Sequence, residues 1–185
     1  MWLMPRLKHL DISIGGTPHE LRVSLKEDLQ SLDDILQRHG TQLTSFHLTD
    51  THSVPVGGNS QSELAHILSL SQLLSYCPFL IKFSYLVNAL KPLSTNPSGP
   101  MAFTYLEEVT MTLDPDFEGV NGNDATSTKQ HLWTFASRDM FPNLKKVHLV
   151  IRHGSLAPLL AKQVVKKYEE NGVWLSLRRT RQCRR

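Results

Sequence analysis

The sequence predicts an α/β repeat solenoid, with a parallel sheet on the concave face and helices on the convex face. Three observations carry this. A short pattern, apolar-x-x-apolar-x-apolar, recurs five times in the 185 residues, its first positions 36, 37, 26 and 38 residues apart. Its last three residues alternate inward-outward-inward, the period of a half-buried strand, and the intervals between copies carry apolar residues at helical spacing. The outward strand positions are polar, whereas a doubly wound sheet, buried on both faces, gives strands that read as continuous apolar runs. Strand–helix alternation at this spacing implies parallel strands joined by crossovers. Repetition of one strand motif implies that each repeat sees the same neighbours.

The copies follow in order. Leu7-Lys8-His9-Leu10-Asp11-Ile12 is the first. The interval after it places Leu25, Leu29, Leu32, Ile35 and Leu36 on one helical face. Arg38 and His39 suit the negative end of that helix, and Gly40 suits a left-handed cap. Leu43-Thr44-Ser45-Phe46-His47-Leu48 is the second copy. A helix is predicted from Ser62 as N-cap, with Leu64, Ile67, Leu68 and Leu74 inward. The third copy is Leu80-Ile81-Lys82-Phe83-Ser84-Tyr85, and the fourth is Leu106-Glu107-Glu108-Val109-Thr110-Met111. Between these two, the proline-rich stretch 87–102 has no useful helical face and reads as a loop, which accounts for the short 26-residue interval. A second long loop is expected over 114–128, then a helix over about 126–138 with Leu132 and Phe135 inward. Leu144-Lys145-Lys146-Val147-His148-Leu149 is the fifth copy. A last helix over about 156–170 ends at Asn171-Gly172, and 173–177 adds a final strand. Pro5, Pro78 and Pro142 each stand two residues before the leading Leu of a copy. Proline there favours an extended entry and cannot continue a helix.

Composition supports a globular chain: 40% hydrophobic and 20% charged residues suffice for a core. No apolar run approaches the roughly 18 residues of a membrane span, and the N-terminus lacks the pattern of a secretory signal. Two cysteines make no disulfide framework and no multi-cysteine zinc site. An intracellular setting, cytoplasmic or nuclear, is expected. The formal net charge of +3 is carried by the end of the chain, where RRTRQCRR holds five arginines; the remainder is mildly acidic. Residues 1–177 are read as the repeat domain and 178–185 as a basic, disordered tail.

Chemistry-bearing motifs are sparse. Glu63 and His66 form half of a di-iron pair with no second half. The acidic loop 114–124 begins like a calcium-binding loop, but its twelfth position is Ala125 where a bidentate glutamate is needed. No G-x-S-x-G elbow accompanies His153-Gly154-Ser155, and Gly15-Gly16 and Gly57-Gly58 lack the rest of a phosphate loop. Cys77 reads as a buried structural thiol. No catalytic residue, metal or cofactor is assigned, and the chain is not expected to be an enzyme. What remains is the outward strand surface. His9, Ser45, Lys82, Glu108 and Lys146 form one column there, and Asp11, His47, Ser84, Thr110 and His148 the next. His9, Asp11, His47, Lys82, Glu108, Lys146 and His148 are the candidate contacts for a protein partner. The histidines among them are expected to be exposed and to titrate near pH 6.5.

The pattern resembles leucine-rich repeats, with longer and less regular units. It is most similar to the leucine-rich-repeat-like region of fungal F-box proteins, whose units carry phrases such as Phe141-Pro142-Asn143-Leu144-Lys145-Lys146-Val147 and Ile35-Leu36-Gln37-Arg38-His39-Gly40-Thr41-Gln42-Leu43. The likeness covers about residues 4–177. It implies a protein-interaction module, with substrate recognition in a ubiquitin-ligase context. The sequence opens inside a repeat, without the F-box segment itself, so it is expected to be the C-terminal part of a longer architecture. Two other classes fit parts of the sequence: a small α/β enzyme or nucleotide-binding domain, and a nucleic-acid-associated protein using the arginine tail.

Overall fold

A computed structural model describes residues 7–14, 31–50, 69–87, 90–93, 102–113, 123–151 and 162–179. Six strands form one sheet, β1 (His9–Ile14), β2 (Ser45–Asp50), β3 (Lys82–Leu86), β4 (Glu108–Leu113), β5 (Lys146–Ile151) and β6 (Trp174–Arg179). They lie side by side in chain order, and every neighbouring pair is parallel. Helices alternate with them: α1 over residues 31–39, α2 (Leu70–Tyr76), α3 (Asn123–Phe135) and α4 (Lys162–Glu170).

Each of the first five strands begins two residues after the leading Leu of its motif, because that Leu belongs to the entry turn. Leu43, Leu80, Leu106 and Leu144 are buried there. The turn repeats one backbone arrangement. The carbonyl of the second motif position accepts two N–H groups from the next repeat: Lys8 from Thr44 and Ser45, Thr44 from Ile81 and Lys82, Ile81 from Glu107 and Glu108, Glu107 from Lys145 and Lys146. Trp174 N–H then donates to the Lys145 carbonyl. Side chains reinforce the stacking: Asn143 donates to the Thr104 carbonyl at 2.6 Å, and Arg138 donates to the carbonyls of Asn171, Pro142 and Leu144.

The inward strand residues make the core with the helices. Phe46 stacks on Phe83, and Phe83 on Tyr85, with centroids 6.0 and 4.7 Å apart. Phe135 and Phe141 continue the aromatic cluster under α3. Leu32 and Leu36 of α1, Leu73 and Leu74 of α2, Leu132 of α3 and Val164 and Tyr168 of α4 close it from the helix side. Tyr168 donates its hydroxyl hydrogen to the Leu132 carbonyl at 2.7 Å, so this buried phenol is satisfied.

Several local expectations change. Gly40 does not adopt the left-handed conformation; it opens a short 3₁₀ turn (Gly40–Gln42). Its role is close approach, since a Cβ would stand 2.4 Å from the Tyr76 carbonyl oxygen. Gly172, with φ +62°, is the left-handed cap that follows α4. The loop expected over 114–128 is shorter, because α3 already begins at Asn123. The N-cap of α2 is Ser69, whose side chain accepts from Gln72 N–H; the expected cap at Ser62 lies outside the described residues. So do the residue pairs Glu63/His66, Gly15/Gly16 and Gly57/Gly58, His153-Gly154-Ser155, most of the 114–124 loop and the arginines from 181 onward. β6 runs through Arg178 and Arg179, two residues beyond the expected domain boundary. Among the described residues no helix is long and apolar enough to cross a membrane.

Candidate functional site

Strand register decides which outward side chains meet. It aligns His9, Ser45, Lys82, Glu108, Lys146 and Trp174 in one row, and Asp11, His47, Ser84, Thr110, His148 and Ser176 in the next. All seven candidate contacts therefore stand in two adjacent rows on the polar face of the sheet. His9, Asp11, Lys82 and Lys146 are exposed, and His47 and Glu108 are half-buried.

Charges on this face are largely matched within it. Asp11 lies 3.4 Å from His47 Nδ1. Glu108 is the hub, with Lys82 Nζ 3.8 Å from Oε2 and His148 Nε2 3.3 Å from Oε1. Lys145 and Glu107 pair beside it at 2.8 Å. Partly exposed pairs like these stabilise a fold by only about 0–1 kcal/mol each; their larger effect is to fix where charge is presented. Ser45, His47, Lys82, Ser84, Glu108 and Thr110 rim a shallow depression of about 180 Å³, floored by Phe46 and Phe83.

His148 departs from expectation. It is only 6% exposed. Trp174 meets it edge-on with ring centroids 6.1 Å apart, and Ser176 Oγ lies 2.5 Å from Nδ1. The cause is β6, which adds a neighbour on the far side of β5 and covers the imidazole. A proton on Nε2 lets His148 donate to Glu108 while Nδ1 accepts from the Ser176 hydroxyl. Trp174 and Ser176 are the face residues that sequence reasoning missed. The sixth unit has Gly172 where the other copies carry Leu, so it did not match the repeat. The spacing of Leu175 and Leu177 was the available signal, since it reproduces that of Val147 and Leu149.

Glu108, His148 and Ser176 stand in the order carboxylate–imidazole–hydroxyl. A nucleophilic site also needs a substrate cavity and oxyanion donors at the hydroxyl. The depression on this face is lined by residues of β2, β3 and β4 and does not include Ser176. These contacts link side chains of three adjacent strands, β4, β5 and β6.

Behind the sheet lies a second polar pair. His131 of α3 is fully buried, with Nδ1 2.9 Å from the Tyr85 hydroxyl. Burial pushes the His131 pKa down to about 4, with the Leu90 backbone opposing the shift. Burial likewise raises Tyr85 and Tyr168, and pushes the Cys77 thiol up to about 12, so it stays protonated and unreactive at neutral pH. Among the described residues no group of three or more His, Cys, Asp or Glu side chains is placed to hold a metal ion. Comparison with family models, curated proteins and solved structures found no match.

Proposed function

We propose that this chain is a leucine-rich-repeat-like solenoid that binds a protein partner on the polar face of its sheet. The observation that carries the reading is the register. Equivalent motif positions of successive strands fall in unbroken rows, and the same carbonyl accepts the same pair of N–H groups at four successive junctions. Repeats with identical neighbours are the physical basis of a solenoid, whose strand face is an extended binding surface. That face mixes both signs of charge with imidazole and hydroxyl groups. Its potential suits one complementary protein surface, giving selectivity more than raw affinity. A nucleic-acid groove would be basic throughout; here Asp11 and Glu108 interrupt the cations. The resemblance to the repeat region of fungal F-box proteins makes a substrate presented for ubiquitin transfer the partner class.

The test compares three tagged chains in capture experiments with mass-spectrometric readout. They are the wild type, a His47→Ala/Lys82→Ala/Glu108→Ala variant and a chain ending at Arg179. The triple variant should lose the wild-type partners while keeping its circular dichroism and melting temperature. The shortened chain should retain them. Capture unchanged in the triple variant and lost in the shortened chain would refute the face and favour the arginine tail.

A further inference from the structure

We propose that the two open edges of the sheet fit one another, so that copies of this chain associate end to end, β6 of one copy receiving β1 of the next as a seventh parallel strand. The junction pattern is the first argument. Val173 holds the second motif position of the sixth unit, where the carbonyls of Lys8, Thr44, Ile81 and Glu107 each accept two N–H groups. Its own carbonyl accepts none among the described residues. At the opposite edge, Lys8 and His9 occupy the positions whose N–H groups make those bonds at the other junctions, and among the described residues no strand accepts from them. An unpaired edge of this kind is a template for another strand.

Side chains point the same way. Met111 and Leu149 are fully buried, yet Leu177, next in their row, is 47% exposed, because among the described residues no strand pairs with the outer side of β6. Leu10 and Ile12 of β1 are only partly buried on the same side of the sheet. Continuing the register would set Leu175 against Leu10 and Leu177 against Ile12, closing apolar surface on both. On the polar face Ser176 would meet Asp11, and Arg178 would meet Ser13. Strand direction selects this pairing over the symmetric ones: β6 against β6, or β1 against β1, about a two-fold axis normal to the sheet runs antiparallel and does not continue the parallel ladder. Joining unlike edges is heterologous, so growth does not stop at two copies unless a ring closes.

The experiment uses the full chain in sedimentation velocity over a range of concentrations. The wild type should rise in average mass above the 21.0 kDa of one chain as concentration increases. Leu177→Lys blocks the β6 edge. His9→Pro removes an edge N–H at the first residue of a strand, where proline is tolerated. Each variant alone should stay at one chain mass, with an unchanged circular dichroism spectrum. Mixed, they should form a species of twice that mass and no larger one, because the intact edge of each meets that of the other. A wild type that remains a single chain at every concentration would overturn the proposal. So would association that survives in both variants, or a mixture no heavier than its parts.

Discussion

His131 makes the stability of this fold depend on pH in a window set by burial. In the unfolded chain a histidine titrates near 6.5; in the folded chain it titrates at about 4, because its imidazole is enclosed under α3 with one nitrogen held by Tyr85. Between these values the unfolded state binds the extra proton, so stability rises with pH across the window. The contribution is complete above about pH 6.5 and is lost progressively as pH falls to about 4. The full shift corresponds to about 3 kcal/mol, and the part falling between about pH 7.5 and pH 5 to about 2 kcal/mol. The assay is urea unfolding of the wild type and of His131→Gln at those two pH values. Glutamine keeps an acceptor for the Tyr85 hydroxyl but carries no proton equilibrium. The variant should be less stable at neutral pH and should lose about 2 kcal/mol less than the wild type on acidification. Subtracting the two series cancels every group common to both. If the two chains lost stability in parallel, His131 would not be held neutral by burial, and the placement of α3 over β3 would be wrong.

Three further outcomes are expected. Phe46→Ala should cost about 3–5 kcal/mol in denaturant unfolding, since its ring is buried and stacked on Phe83; Val147→Ala, removing less volume from an equally buried site, should cost about 2 kcal/mol. Gly40→Ala should cost about 3 kcal/mol, the upper end of overpacking, because the atoms it meets are the backbone of α2, which cannot swing aside; an unchanged melting temperature would contradict that contact. A chain ending at Leu177 should melt below one ending at Arg179, by about 1–2 kcal/mol of lost ladder bonding, because Arg178 and Arg179 pair with Val150 and Ile151.

Much of the strand layer was legible in the chain. The five motif copies mark the first five strands, and their outward residues fall into the two predicted rows. Helix boundaries were less legible. Apolar spacing marks a helix's buried face, but its ends depend on which side chain happens to cap it, as Ser69 does for α2 and Gly172 after α4. Gly40 shows the limit of a one-letter rule: its sequence context is that of a left-handed cap, and its requirement is room for a neighbouring helix.

What the sequence by itself determined was the repeat: period-2 alternation at recurring intervals marks half-buried strands joined by crossovers, and one motif repeated with polar outward positions points to like neighbours in chain order. Tertiary structure alone decided the chemistry of the face. Whether His148 is an exposed imidazole or a buried one depends on Trp174 and Ser176 arriving beside it from β6. Whether Glu108 is an open anion depends on how far Lys82 and His148 reach across the sheet. Burial and ion pairing are properties of neighbours, and a parallel strand takes its neighbours from a unit some 26–38 residues away in the chain. Periodicity fixes which way a side chain points; only the packed sheet fixes what it meets there.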